Sequence, residues 1–582
     1  MDSYLSAIAA RLAPDQVDML KRIYEPTVVA TPLKDSRRDV CVLPDGEIRS
    51  YGRLYGNLMT GEPGVWAYLS SVDGGLSWQK RYAKGKMNAC VYFPERDLYI
   101  ASIDSAESGL GKSGLRVWRS KIGPDDPEPE EILVSEDNYN CAFQPQKAAA
   151  CDRIWFTAQK REDGDSTDIG FFFSDDFGLT WQTRIIPDPM GFEVVFPHKG
   201  LRWSKNSGTE PHVAEIAPGK LMMIIRSATD QFWQCFSEDL GETWSTPEPS
   251  TFYGTDTTAY LLRLHDGRTL AFWNNTRPLP EPNHRITQPP VGPFVEQGKG
   301  EDAFTNRDAA HVAITEDGGE SWIGYRELIL NPIRNNADFR YASADKSTRD
   351  KSVHQFQAIE LPFNKILVSA GQNTASRRLV IFDLDWLYET TRKNDFLRGM
   401  EELTTHTFVK SVSGSYIDAI GNGHCAWNRT YSAYMMPDPM GGVFETLSIA
   451  KHHDDRLLSD IGGACWNFPM ARKGRVTVGF LIREKSARFV LADRWFNPSD
   501  AFAATESPFW FELTREDVGD GYHTLEIHFD VEGGKGKVSL DGKPFFGLRM
   551  KNPCPTGISY LILQCATDGD SAGFNVKYLE KE

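Results

Sequence analysis

At 582 residues the chain exceeds one ordinary domain. Its formal net charge of −16 argues against nucleic acid as a partner, because phosphate binding draws on a basic surface, yet leaves room for a small anionic substrate gripped by a few local arginines. No run of 18 apolar residues exists, so no membrane span is expected, and the nine dispersed cysteines, without a C-x-x-C pair, read as free buried thiols of a reducing compartment.

The first 28 residues read as a helical segment. Leu5, Ile8, Ala9, Leu12, Val17, Leu20 and Ile23 fall roughly on one face, with Pro14 interrupting. No basic region followed by an apolar core opens the chain, which points to the cytoplasm, or to a secreted protein if a leader has been trimmed. From residue 29 to about 400 the text is short strands with turn signals, such as Leu43-Pro44-Asp45-Gly46, Ala217-Pro218-Gly219-Lys220 and Leu264-His265-Asp266-Gly267. Pro278 to Gly300 is a Pro-rich loop too long for a plain hairpin. Residues 389–402 are charged and read as a linker or short helix.

Four segments in this stretch spell [S/T]-x-D-x-G-x-[S/T]-W: Ser71–Trp78, Ser174–Trp181, Ser237–Trp244 and Thr315–Trp322. Each reads as a hairpin turn in which Asp accepts backbone N–H bonds, Gly takes a positive φ, and Trp packs into the gap between sheets. A blade of four strands takes about 40–50 residues. The wide gap between the first two repeats therefore hides a blade without the motif, near Val117-Trp118-Arg119-Ser120, and a final blade falls near residues 350–385. The count is six. From 401 to 582 alternating strands with Gly and Asp turns predict a jelly-roll or concanavalin-like β-sandwich, with an outright hairpin signal at Leu540-Asp541-Gly542-Lys543.

The four repeats are Asp-boxes, and residues of roughly 30 to 390 resemble the sialidase superfamily of β-propellers. The resemblance implies an all-β fold, a six-bladed propeller followed by a lectin-like sandwich. It also implies a pocket with an arginine triad for a carboxylate, a Tyr nucleophile activated by a Glu, and a mobile acid/base. Three guanidiniums clamp a carboxylate, and a carboxyl protonates the leaving oxygen. Glu210-Pro211-His212, followed by a strand, a tight turn and a strand ending in Arg226, is similar to the Glu and second arginine. Arg37 and Arg38 precede the opening strand where the first arginine is expected, although the family's Ile-Pro is missing. Arg307, shortly before the last box, matches the third.

The acid/base position offers Glu62 on a Gly/Pro loop where the family has Asp. At the nucleophile position His354 stands near the expected Tyr, and Tyr341 lies on the preceding loop; a His suits proton transfer better than covalent capture. His212 and the corner Asn274, Asn275 and Arg277 are further pocket candidates. No H-E-x-x-H, EF-hand, Cys/His quartet, P-loop, G-x-G-x-x-G or nucleophile elbow occurs, so neither a metal nor a cofactor is expected. The resemblance implies an exo-acting glycosidase for a terminal acidic sugar on a glycan. Two alternatives stay open. One is a His/Tyr-dependent lyase or rhamnosidase-like enzyme on a uronate-linked sugar. The other is a non-catalytic carbohydrate-binding propeller. Oligomeric state is not legible.

Overall fold

In the first boxed turn Asp73 Oδ1 accepts from Ser71 Oγ at 2.8 Å and from Ser77 N at 2.9 Å, while Ser71 Oγ accepts the Gly75 N–H at 2.9 Å. Trp78 Nε1 donates to Gly75 O at 2.9 Å. The other three turns repeat the hydroxyl and backbone bonds at Asp176, Asp239 and Asp317, and Trp181 Nε1 donates to Gly178 O as Trp78 does to Gly75 O. The glycine of each turn needs its missing side chain twice over. Its φ is +89, +80, +91 and +87 at Gly75, Gly178, Gly241 and Gly319. It also abuts the preceding sheet: a Cβ on Gly241 would fall 2.1 Å from the Phe171 ring, and one on Gly75 3.2 Å from Ile381.

The computed structural model describes residues 3–33, 40–54, 65–87, 89–103, 114–161, 167–187, 209–227, 231–254, 257–277, 307–331, 353–371, 376–409, 428–451 and 459–582. It is all-β, a six-bladed propeller and a β-sandwich. Six antiparallel sheets are the blades, and in five of them the strands follow chain order. Blade 1 runs Val40–Val42, Ile48–Leu54, Val65–Ser71 and Gln79–Tyr82, and blade 2 runs Val91–Phe93, Leu98–Ile103, Leu115–Ser120 and Glu130–Ser135. Blade 2 is the sheet expected in the wide gap. Blade 3 has a split first strand, Tyr139–Asn140 and Gln146–Lys147, before Ile154–Arg161, Thr167–Ser174 and Gln182–Ile185. Blade 4 runs His212–Ala217, Lys220–Ile225, Gln231–Ser237 and Glu248–Tyr253; blade 5 runs Tyr260–Arg263, Thr269–Trp273, Ala309–Thr315 and Ile323–Leu330. Blade 6 takes Gln357–Leu361, Lys365–Ala370 and Arg378–Asp383, and its fourth strand is Thr27–Ala30 from the other end of the chain, paired Thr27 to Ile381. The boxed turns join third and fourth strands of blades 1, 3, 4 and 5.

The N-terminal segment is two helices, α1 (Ser3–Arg11) and α2 (Pro14–Arg22), with Pro14 at the first turn of α2, where its missing N–H costs nothing. Ile8 and Leu20 are fully buried with Val40, Ile48, Leu361 and Leu367 of blades 1 and 6. Gly46, at φ +85, lets α1 approach: a Cβ there would sit 2.6 Å from the Ala7 carbonyl carbon.

Two compact units divide the chain: Met1–Asn274 with Val312–Trp322 and Lys351–Trp386, and Asn275–His311 with Ile323–Asp350 and Leu387–Glu582. The second contains the sandwich. One sheet has the spatial order Ala433–Pro437, Glu445–Ile449, Phe574–Lys581, Lys473–Ile482, His523–Asp530, Lys535–Leu540 and Lys543–Arg549. The other is Leu403–Thr404, Gly462–Ala471, Ile558–Cys565, Ser486–Ala492 and Phe509–Thr514. Their inward residues, among them Leu447, Trp466, Phe480, Phe489, Leu525 and Phe574, form one buried cluster. The hairpin at Asp541-Gly542 has φ of 48° and 75° at its two central residues, as a primed turn requires.

Two expectations change. The 389–402 stretch is not a linker: Arg392–Asn394 pairs with Leu579–Lys581 and extends the first sandwich sheet, with Asn394 buried, Arg392 paired with Glu402 and Lys393 exposed. Nor are all thiols buried: Cys151 is exposed and Cys141 is partly exposed, each lying outside regular strands. Among the described residues no helix is long and apolar enough to cross a membrane.

Candidate functional site

First strands from all six blades line one cavity of about 470 Å³, with Cys41, Cys90, Gln146, His212, Tyr260 and Gln357 among its walls and Tyr4 of α1 also contributing. The wall is well knit. Gln357 clamps Val40 of the next blade, its Nε2 donating to Val40 O at 2.8 Å and its Oε1 accepting from Val40 N at 2.9 Å. His212 Nδ1 accepts the Leu261 N–H at 3.0 Å, which leaves the ring proton on Nε2 in the neutral ring. The ring packs between Phe143 and Tyr260 at 4.5 and 4.2 Å. Burial pushes the Tyr260 phenol up to about 12, so it stays protonated.

Glu210 lies two residues before the first strand of blade 4, and Arg226 directly follows the second strand, so the antiparallel pairing of His212 with Ile224 brings them to one end of the blade. Arg226 Nη1 donates to Glu210 Oε2 at 3.1 Å, and both side chains are about nine-tenths buried. The neighbouring blades complete the carboxylate. Thr258 Oγ1, just before blade 5, donates to Oε2, and Cys141 Sγ of blade 3 donates to Oε1 at 3.6 Å. Gln159 Oε1 accepts the Glu210 N–H at 2.8 Å, and its Nε2 donates to Asn140 Oδ1 at 3.0 Å. Glu210 holds φ +35 and Cys141 φ +54, left-handed values that non-glycine residues adopt at a cost of order 1–3 kcal/mol.

His354 is buried just before the first strand of blade 6, where its carbonyl accepts the Gly371 N–H. Asn274 Nδ2 donates to Val353 O at 3.1 Å, beside it. Thus Glu210, Arg226, His212, Asn274 and His354 all belong to the first unit, at first-strand or second-strand ends. Asn275, Arg277 and Arg307 belong to the second unit. Asn275 N donates to His311 Nδ1 and its Nδ2 to Asp493 O, both at 3.0 Å. Arg277 is bidentate with Glu506, at 2.9 and 2.7 Å, and lies over the Phe502 ring. Arg307 is fully buried. Arg37, Arg38, Glu62 and Tyr341 lie outside the described residues.

The sequence reading missed Cys141, Gln159 and Thr258. No motif marks them; they meet Glu210 only because three blades converge. Among the described residues no group of three or more His, Cys, Asp or Glu side chains is placed to hold a metal. The arrangement holds one buried carboxylate with donors on both oxygens and a guanidinium alongside.

Residues 135–348 match the BNR repeat-like domain family. No curated protein matches the chain. Among solved structures, a protein of unknown function from Dyadobacter fermentans is similar at 16% identity over 62% of this chain and 97% of that one, with a TM-score of 0.37. The Trypanosoma rangeli sialidase in complex with 2,3-difluorosialic acid is similar at 10% identity over 96% and 95%, with a TM-score of 0.34. The NanB sialidase from Streptococcus pneumoniae, in complex with a chlorobenzyl-ammonio ethanesulfonate, is similar at 11% identity over 65% and 73%, with a TM-score of 0.36.

Proposed function

We propose that this chain, a BNR-repeat propeller of the sialidase type, is an exo-acting glycoside hydrolase that removes a terminal carboxylate-bearing sugar from a glycan. The observation that carries this reading is the buried Glu210–Arg226 pair at the end of blade 4, two residues from a cavity wall built by all six blades. In this reading Arg226 faces the sugar carboxylate, with Arg37 or Arg38 adding to the clamp. Glu210 activates the nucleophile or base, taken from Tyr341 or His354, and Glu62 protonates the leaving oxygen. His212 and Asn274 are assigned to positioning the sugar.

Hydrolysis of a fluorogenic sialoside, and of a panel of other acidic glycosides, tests it. Glu210→Gln and Arg226→Ala should each abolish turnover, and full activity in both removes the assignment. Glycan binding without turnover by the wild-type chain points instead to a binding propeller. A second reading is a uronate lyase with His354 as proton shuttle, favoured by the burial of that ring at the entrance of blade 6. It predicts absorbance in the unsaturated-uronate band on acidic polysaccharides.

A further inference from the structure

The first strand of blade 3 is broken where it passes Glu210. Asn140 pairs with Gln159 and Gln146 with Trp155, so five residues, 141–145, face three, 156–158. The excess forms a bulge, anchored by Phe143 N donating to Thr157 O at 3.0 Å. Bulges re-aim side chains beside functional sites. This one aims Cys141, at φ +54, across the blade boundary at Glu210 Oε1. From the opposite side Thr258 reaches Oε2, alongside the Arg226 guanidinium. Donors from three blades therefore converge on one nearly buried carboxyl, and two of them come from residues that no family motif supplies.

We propose that Cys141 and Thr258 are positioning residues for Glu210: their S–H and O–H hold its two oxygens in one orientation and favour the ionised group. Glu210 then works as a proton acceptor or charge partner rather than as a proton donor. This deepens the glycosidase reading and rests on it for the catalytic consequence, although the contact itself does not. Donors to an ionised carboxyl favour that form, so their removal makes the group harder to ionise.

Two measurements on the full chain test the proposal. The first needs no substrate. Iodoacetamide labelling of Cys141 is followed by peptide mass analysis, with exposed Cys151 as the internal reference. A negative carboxylate opposes thiolate formation beside it. Glu210→Gln should therefore speed Cys141 labelling several-fold relative to Cys151, and an unchanged ratio overturns the proposal. The second uses any acidic glycoside the chain turns over. Cys141→Ala and Thr258→Val should move the acidic limb of the kcat/KM profile to higher pH and lower kcat more than they raise KM. Cys141→Ser and Thr258→Ser should restore most of both. Wild-type profiles in Cys141→Ala and Thr258→Val overturn it. If no substrate is found, the glycosidase reading fails while the labelling ratio still decides the contact.

Discussion

The outer turns and the inner ends of the blades obey different rules. Four outer turns repeat one set of bonds around Asp73, Asp176, Asp239 and Asp317. The inner ends share no such set: Gln357 clamps blade 1 to blade 6, while Glu210 collects donors from blades 3, 4 and 5. Each outer turn closes its bonds within eight consecutive residues, so each can be read from the sequence. The inner ends carry what is individual to the molecule, and each is assembled from segments far apart in the chain.

The contrast can be broken at several points. The largest effect should come at blade 4. Arg226→Ala leaves a buried carboxylate without its cation and should cost about 3–5 kcal/mol in chemical denaturation; a loss below about 1 kcal/mol would mean water reaches the pair freely. Next, Ala at Asp73, Asp176, Asp239 or Asp317 should each cost about 1–3 kcal/mol, because every one removes the acceptor for a backbone N–H and a hydroxyl. Similar values at all four sites support one shared design, and a wide spread sinks it. The third is a pH effect. Burial raises the Asp176, Asp239 and Asp317 carboxyls, but hydrogen bonds from Thr180, Thr243 and Ser321 outweigh it and hold them below their ordinary 3.8. Their folded values are depressed, so the stability they contribute is complete above the ordinary value and is lost as pH falls through the lower folded value. Thermal melts from about pH 5 to pH 2 should fall less steeply in an Asp→Asn triple variant than in the wild type. The smallest effect should be Arg277→Ala, whose partly exposed pairing with Glu506 is worth about 1 kcal/mol by thermal melting.

The same contrast explains what could be read beforehand. The boxes gave the sheet count because Asp, Gly and Trp do their work within one turn, and Asp541-Gly542 gave a hairpin for the same local reason. Glu210 and Arg226 were legible because a single hairpin brings them together. Cys141 and Thr258 were not, since each belongs to a different blade and neither carries a motif. The partner of Arg277 was not legible either, because Glu506 lies more than 200 residues away. Arg392–Asn394 read as linker because composition reports solvent exposure and says nothing about an available sheet edge.

The strand Thr27–Ala30 has a consequence for biosynthesis. Its hydrogen-bonding neighbour, Arg378–Asp383, emerges only after five other blades have left the ribosome. Until then the nascent chain carries this β-segment unpaired, and sealing the circle means closing a loop of several hundred residues, a slow and entropically opposed event. Deleting that strand should leave each blade's local pairing intact but the circle unlatched, exposing the raw edge of Arg378–Asp383 to intermolecular pairing and self-association.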